Sequence, residues 1–258
     1  MQESFYDVTE ISGEEISKEQ LERMHHRYAW ARNQCKNKSV VEVACGSGQG
    51  LGIILEVANS LVAGDCDQDI LEIAKLHYRD RVQLDRFDAL DLPFDDNSID
   101  VIINFEAIYY LRDCEKFVAE CNRVLRVGGK ILIATANKDL ADFNPSPNSY
   151  NYLGTVELEK LLAKFSFDCD LFGYMSVKKV SVKQRIFRPI KWLVVKLGLM
   201  PKSMKSKRLF KRIVFGELVS MPHELVTGEV SFSPPIPLQK ACPNTEHKVI
   251  YCTGTKTQ

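Results

Sequence analysis

The chain has 258 residues, of which 45% are hydrophobic and 26% are charged, a composition typical of a globular protein with one large domain or two small ones. Its formal net charge is zero, so bulk charge indicates no class of partner. The apolar runs are too short to cross a bilayer, and the acidic and polar residues throughout Met1–Gln20 predict no secretory signal. We therefore expect a cytoplasmic protein.

The eight cysteines form no C-x-x-C pair and do not cluster with histidines, so the sequence predicts no metal site. Several of them lie within apolar patterns, where a free cysteine behaves as a small hydrophobic residue. We expect reduced thiols, as is usual in the cytoplasm.

The first predicted element is a helix that begins after Ser17. Ser17 can accept hydrogen bonds from the first turn, and Leu21, Met24 and Tyr28 recur on one helical face. The sequence therefore predicts a helical arm or lid over residues 1–39.

A strand, a glycine-rich turn and a helix come next. The run Val40–Val43 is typical of a short buried strand, and Leu51–Ala58 has a helical pattern. Between them, Gly46, Gly48 and Gly50 let the backbone turn sharply and approach a ligand closely. The N-terminus of the helix can bind an anionic or carboxylate-bearing ligand, although a tight strand-to-helix turn without a ligand has the same pattern.

Strands and helices continue to alternate along the chain. The predicted strands are Ser60–Asp65, Val82–Phe87, Ile99–Phe105, Lys130–Ala136, Phe167–Gly173 and a last one at His247–Cys252. The predicted helices are Ile70–His77, Cys114–Leu125, stopped by Gly128 and Gly129, and Thr155–Phe165, capped by Thr155. This alternation predicts a doubly wound parallel sheet.

In such a sheet, ligands bind outside the carboxyl ends of the strands at the switch point. Four segments fall at predicted strand ends, and we expect them to meet at one edge: Gly46–Gly50, Asp65, Asp88 and Asn104–Glu106.

Three acids near this edge suit an adenosine-containing ligand. Asp65 can accept hydrogen bonds from both hydroxyls of a ribose, or it can cap the helix that follows. Asp88 can accept from an adenine amine, or it is a solvated turn acid. Glu42 lies in an apolar strand and needs a partner, which the N–H groups of the glycine turn or a ligand amine would supply. Leu51 stands where a dinucleotide fold has its third glycine.

Four motifs resemble those of class I S-adenosylmethionine-dependent methyltransferases of the methyltransferase type 11-like kind. They are V-V-E-V-A-C-G-S-G-Q-G at 40–50, G-D-C-D at 64–67, the segments F-D-A, L-P-F and S-I-D-V-I between 87 and 102, and R-V-L-R-V-G-G-K at 123–130. They follow the order and spacing of the family, with Val127 in place of its usual proline. The resemblance implies a Rossmann-like, seven-stranded fold, S-adenosyl-L-methionine as cofactor, and methyl transfer as the activity.

The resemblance also implies a set of cofactor-binding residues. They are Tyr28, Glu42, Ala44, Gly46, Gly48, Asp65, Cys66, Asp88, Ala89 and Asn104. Asp65 is implied to hold the ribose, Asp88 the adenine and Asn104 the methionine portion. Glu42 is implied to lie near the cofactor amine, while Tyr28 either closes over the carboxylate or only packs its helix.

Residues 26–30 and 105–110 resemble segments of a subset of this family that is often associated with polysaccharide or sugar biosynthesis. That subset has a histidine where this chain has Tyr110. A base is required only when the acceptor must lose a proton, as a hydroxyl would. The candidates for such a base are Glu106, Tyr109, Tyr110, His25 and His26.

The connection before the last strand is far longer than an ordinary loop. We predict a methyltransferase core over residues 40–176, a basic insertion over 177–245 that acts as a substrate lid, and the last core strand and tail over 246–258. The stretch Lys178–Arg212 has 13 lysines or arginines and no acid. A basic amphipathic helix there can contact an anionic membrane, bind substrate phosphates, or pack on the core as a lid.

These observations predict a methyltransferase that acts at oxygen or nitrogen of a small-molecule acceptor, such as an anionic sugar or phosphosugar. One rival is a lipid-linked or nucleic-acid acceptor, although no RNA-binding module pattern favours nucleic acid. Another is a non-catalytic S-adenosylmethionine-binding subunit that stimulates an active partner. The acceptor, its methylated atom and the oligomeric state stay open.

Overall fold

The computed structural model describes residues 11–146, 148–177 and 218–258. The strands are β1 (Glu15–Ser17), β2 (Ser39–Val43), β3 (Ser60–Asp65), β4 (Gln83–Arg86), β5 (Ile99–Phe105), β6 (Leu125–Ala136), β7 (Phe167–Ser176), β8 (Leu218–Ser220), β9 (Ile236–Pro237) and β10 (His247–Lys256). The helices are α1 (Lys18–Cys35), α2 (Leu51–Leu55), α3 (Gln68–Tyr78), α4 (Cys114–Val124) and α5 (Thr155–Lys164). The interpretations of Lys178–Arg212 lie outside the described residues.

The main sheet is mixed, and its strand order is β4-β3-β2-β5-β6-β10-β7-β9. The five strands from β4 to β6 are parallel, whereas β10 is antiparallel to both of its neighbours, β6 and β7. The predicted doubly wound, Rossmann-like α/β fold is confirmed. The antiparallel direction of β10 was not predicted, because an apolar run looks the same in either direction.

Helices cover both faces of this sheet. On one face Met24 of α1, Leu51 of α2 and Tyr78 of α3 share a core, and on the other Phe117 of α4 packs with Leu158 of α5. All five side chains are at most 2% exposed. Two apolar layers therefore hold the sheet rigid, and its strand ends can position polar groups. No helix in the described ranges is long and apolar enough to cross a bilayer.

Two predicted helix ends need correction. Helix α5 is capped by Gly154 rather than Thr155, and the Glu157 carboxylate accepts a hydrogen bond from the Gly154 amide at 3.1 Å. Helix α4 ends at Val124 without help from glycine, since Gly128 and Gly129 lie inside β6. A Cβ on Gly129 would lie 2.7 Å from the Arg126 carbonyl oxygen, so this glycine permits a close backbone approach. The cap at Ser17 is confirmed, because its hydroxyl accepts from the Gln20 amide at 3.2 Å.

The switch point of the sheet lies between β2 and β5. These strands are neighbours, but the chain crosses from β2 to β3 on one side and from β5 to β6 on the other. Each of the two strands is followed at once by a non-glycine residue in the left-handed region, Ala44 with φ 58° and Glu106 with φ 54°. Such strained positions persist where the surrounding structure fixes them, and they concentrate at functional sites.

Residues 218–229 cover the outside of the glycine turn, and we call this segment the strap. Its first residues form β8, which pairs with β1 in a separate two-stranded sheet. Further along, the Leu225 amide donates to the Gln49 carbonyl oxygen at 2.7 Å. Glu224 of the strap accepts from Arg81 at 2.7 Å and lies 2.7 Å from the His77 Nε2. This part of the predicted insertion is thus attached to the predicted cofactor loop.

Candidate cofactor and acceptor site

The glycine turn is held in one conformation by buried hydrogen bonds. Gly46 and Gly48 have positive φ values of 58° and 82°, which glycine adopts without steric cost. The Tyr78 hydroxyl, fully buried on α3, donates to the Gly48 carbonyl oxygen at 2.8 Å and accepts from the Gly52 amide at 3.1 Å. One phenol therefore joins the turn to the first residues of α2.

Asp65 connects the glycine turn to the acidic loop after β3. Its carboxylate accepts from the Gly46 amide and from the Asp67 amide, both at 3.0 Å, and the residue is 8% exposed. Burial raises the pKa of this carboxyl group, and the two amides oppose that shift. The cap of α3 is Asp67 and not Asp65, because Asp67 accepts from the Asp69 amide at 3.1 Å. Asp65 is thus available at the strand end, with Cys66 exposed beside it.

The segment after β4 presents the predicted adenine-binding pair. Asp88 is exposed and accepts from the Leu90 amide at 2.9 Å, whereas Ala89 is buried. The turn that follows is held from α4, where the Arg123 guanidinium donates to the carbonyl oxygens of Phe94 and Leu92 at 2.8 and 2.9 Å. The sequence singled out Arg123 only as part of a motif, and its contact with this turn was not predicted.

Two buried oxygens at the ends of β2 and β5 have no hydrogen-bond partner among the described residues. They are Oε2 of Glu42 and Oδ1 of Asn104. The other Glu42 oxygen accepts from the Tyr28 hydroxyl at 2.5 Å, and the Asn104 amide donates to the Val43 carbonyl oxygen at 3.3 Å. Burial raises the pKa of Glu42 to about 7, although the Tyr28 hydrogen bond opposes the shift. An unpaired buried acceptor is costly, so a donor on a ligand would stabilise both.

Tyr28 lies on α1 and covers the glycine turn. A Cβ on Gly50 would lie 2.0 Å from the Tyr28 ring, so the ring rests directly on the glycine backbone. The ring also contacts Phe105 edge-on at 5.3 Å. Glycine at position 50 is therefore needed for the approach of α1.

Glu106 and three tyrosines form the neighbouring part of the edge. The Tyr109 hydroxyl donates to Glu106 Oε2 at 3.0 Å, and the Tyr109 ring stacks on Tyr152 at 4.2 Å. The Tyr110 hydroxyl lies 2.5 Å from the Ser146 Oγ. The structure thus brings together Glu106, Tyr109 and Tyr110, and it adds Tyr152, which no sequence pattern indicated.

His26 belongs to a different cluster. Its Nε2 faces the Ser233 carbonyl oxygen at 2.7 Å, so this nitrogen carries the proton, and Nδ1 accepts from the Tyr251 hydroxyl at 2.9 Å. The ring stacks on Tyr174 at 3.4 Å, and burial lowers its pKa. His25 faces Glu229 of the strap at 3.3 Å. With both ring nitrogens engaged, His26 is suited to joining α1 to β10 and less suited to accepting a substrate proton.

Comparison with known proteins agrees with this geometry. Residues 41–133 match the family described as a methyltransferase domain. A probable S-adenosylmethionine-dependent methyltransferase of Mycolicibacterium smegmatis is 33% identical over 149 residues, which cover 55% of this chain and 57% of the relative. Residues 41–133 thus form a region similar to S-adenosylmethionine-dependent methyltransferase domains. The methyl donor of such a domain is S-adenosyl-L-methionine, as predicted.

A second curated relative and a solved structure show which part of the chain is similar to known proteins. The methyltransferase domain is also similar to the phthiotriol/phenolphthiotriol dimycocerosates methyltransferase of Mycobacterium tuberculosis, with 36% identity over 109 residues, covering 41% of this chain and 40% of that protein. The crystal structure of YcgJ from Bacillus subtilis has a TM-score of 0.59 at 17% identity and covers 91% of this chain and 99% of that one. The latter shows the fold alone. The chain spans only 40% to 57% of the length of these two curated relatives.

The residues at the switch point fit S-adenosyl-L-methionine. The cofactor has a cationic amine, and the buried unpaired oxygens of Glu42 and Asn104 are acceptors that such a group would satisfy. Its ribose has two hydroxyl donors, and Asp65 places a carboxylate at the next strand end. The methyltransferase domain can therefore hold both ends of the cofactor with groups already in position.

Proposed function

We propose that this protein transfers a methyl group from S-adenosyl-L-methionine to oxygen or nitrogen of a small-molecule acceptor. The observation that carries the proposal is the pair of unpaired buried acceptors, Glu42 Oε2 and Asn104 Oδ1, at the switch point beside a rigid glycine turn. A buried acceptor without a partner needs an explanation, and a donor on a ligand supplies one for both oxygens at this edge.

When bound, the cofactor supplies a methyl group on a positively charged sulfur with a good leaving group. The protein then has to align the acceptor and exclude water, because proximity and in-line geometry provide most of the rate enhancement. In this proposal Glu42 and Asn104 bind the amine, Asp65 binds the ribose, and Asp88 with Ala89 receives the adenine. Tyr28 covers the glycine turn and excludes water from the buried Glu42.

The match to a methyltransferase domain does not specify the acceptor, and the proposal names a narrower class of acceptor. The mycobacterial relative named for phthiotriol dimycocerosates has a lipid acceptor, and this supports testing lipids beside the saccharides that the sequence suggested. We propose a free small molecule as the first choice, with lipid-linked acceptors as the second.

Calorimetry with S-adenosyl-L-methionine tests the first half of the proposal. We expect saturable binding by the whole chain, and absence of any binding would contradict the proposed function. A methyl-transfer screen with radiolabelled cofactor then tests the second half against sugar nucleotides, lipid-linked sugars, simple phenols and RNA. Binding without transfer to any of these would favour the non-catalytic subunit.

A further inference from the structure

Glu106 lies at the switch point of the sheet, where the proposed cofactor site is. It follows β5 directly, and the register of β2 with β5, in which Glu42 faces Ile103, sets it beside the start of the glycine turn. Its φ of 54° is in the left-handed region, where a side chain longer than that of asparagine is rare. The fold thus maintains a strained glutamate at the switch point.

Among the described residues, only one oxygen of the Glu106 carboxylate accepts a side-chain hydrogen bond. Oε2 accepts from the Tyr109 hydroxyl at 3.0 Å. In the described ranges no other side-chain hydrogen bond or ion pair involves Glu106. Tyr109 is 7% exposed and stacked on Tyr152 at 4.2 Å, so the phenol that holds Oε2 is itself fixed. Oε1 is therefore left for a group that the chain does not supply.

The titratable groups that experience the charge of Glu106 are the phenols Tyr109, Tyr152 and Tyr251. Desolvation is the largest cause that raises the pKa of each of them, so all three remain neutral. Neutral phenols can orient a carboxylate without neutralising it.

Resting on the proposed function, we propose that Glu106 is the base of the reaction and that the acceptor is a hydroxyl compound, an alcohol or a phenol. The acceptor oxygen donates its proton to Oε1 as the oxygen–carbon bond forms. The sulfur–carbon bond of the donor breaks, and its electron pair stays on sulfur. The products are the methyl ether, the neutral thioether and protonated Glu106, so charge and atoms balance.

An amine acceptor fits this environment less well. A carboxylate beside an amine stabilises the ammonium form, which has no lone pair for attack. Beside a hydroxyl, the same carboxylate accepts a hydrogen bond and directs an oxygen lone pair at the methyl group. The chemistry of an unneutralised carboxylate therefore favours oxygen over nitrogen.

The test compares Glu106→Gln with wild type and with Glu115→Gln, a control at an exposed carboxylate on α4. Three probes are used: catechol and octyl glucoside as hydroxyl acceptors, and histamine as an amine. We expect Glu106→Gln to lower kcat for a hydroxyl probe by about 100-fold or more. The Kd for S-adenosyl-L-methionine, measured by calorimetry, should stay within about twofold.

Tyr109→Phe is the second variant, because it keeps the ring stacking and removes only the hydroxyl that orients Glu106. We expect a loss of about tenfold in kcat with KM nearly unchanged. A rate for Glu106→Gln equal to wild type would overturn the proposal, as would transfer to histamine alone or no transfer to either hydroxyl probe while the cofactor binds. Equal loss of cofactor affinity and rate would assign Glu106 to the cofactor instead. If wild type itself fails to bind the cofactor, the proposed function fails and not this step alone.

Discussion

The two halves of the sheet are stabilised in different ways. In the half formed by β4, β3 and β2, side chains bind the backbone of neighbouring loops, as when Asp65 accepts from the Gly46 amide, and the strap adds contacts from far along the chain. In the half formed by β6, β10 and β7, the contacts connect residues far apart in sequence. Lys256 donates to Asn97 Oδ1 at 2.9 Å and to the carbonyl oxygens of Asn122 and Leu125 at 2.7 and 2.8 Å.

This difference separates two tasks. In the proposed function the first half presents preformed polar groups to the cofactor, and the second half closes the sheet around the buried Lys256 and the His26 cluster. Substitutions in the first half should therefore change cofactor affinity, and substitutions in the second should change the free energy of unfolding. Glu106 stands at the boundary, on the strand between them.

The largest effect is expected for Lys256→Met in the second half. The change leaves three acceptors without their donor in a site that is 6% exposed, so we expect the free energy of unfolding to fall by about 3 kcal/mol. Urea unfolding measures this, and Lys240→Met at an exposed lysine is the control. A large loss of cofactor affinity at a temperature where the variant is folded would contradict the separation of the two halves.

Asp65→Ala should have the next largest effect, on the first half. It removes the carboxylate proposed to bind the ribose and also the acceptor of the Gly46 and Asp67 amides. We expect affinity for S-adenosyl-L-methionine to fall about 100-fold, by calorimetry, since hydrogen bonds to a charged group contribute about 1.5–3 kcal/mol each. Asp69→Ala, at an exposed acid in the first turn of α3, is the control. Unchanged affinity in Asp65→Ala would remove the ribose assignment.

The pH dependence of the free energy of unfolding should show the titration of the Glu42 carboxyl group. Its pKa is raised by burial to about 7 in the folded protein, so between the unfolded value and about pH 7 the folded state binds the extra proton. The contribution of Glu42 to the free energy of unfolding is therefore fully present at low pH, and it is lost as the pH rises through about 7. We expect Glu42→Gln to gain about 1–3 kcal/mol relative to wild type between about pH 5 and about pH 8, as measured by urea unfolding. Parallel pH profiles for both proteins would show that Glu42 does not titrate in this range.

The smallest effect is expected for Arg123→Met. The contacts of Arg123 connect α4 with the turn after the adenine-binding segment. Arg123 on α4 holds the turn after the adenine-binding segment through the carbonyl oxygens of Leu92 and Phe94. Because its side chain is 34% exposed, we expect only about a fivefold loss of cofactor affinity, or about 1 kcal/mol. Arg126→Met, whose guanidinium pairs with Asp100, is the control. Equal affinities in the two variants would show that this turn needs no support from α4.

Much of the fold could be predicted because its signals are local. The glycine turn, the acid at the end of β3 and the alternation of strands and helices depend on residues near one another in sequence. The cap of α1 at Ser17 was found for the same reason. The positions of helix ends were predicted less well, as Gly154 and Gly129 show, since a glycine can cap a helix or relieve crowding within a strand.

The site residues contributed by distant segments could not be predicted. Nothing near Tyr78 in sequence indicates that its hydroxyl will join Gly48 to Gly52. The same is true of Tyr152, which contacts Tyr109, and of the strap, whose Leu225 reaches Gln49. These contacts exist only once the sheet has formed, because tertiary packing brings the partners together.

The position of β10 has a consequence for folding during synthesis of the chain. Within the described ranges, strand β7 pairs with β10 along most of its length and with the two residues of β9. On the ribosome, the parallel strands can associate as they emerge, but β7 has to wait for residues 247–256. During that interval its apolar face is a target for chaperones. A deletion that reaches into His247–Lys256 should therefore leave a nascent protein with a folded cofactor half and an aggregation-prone remainder.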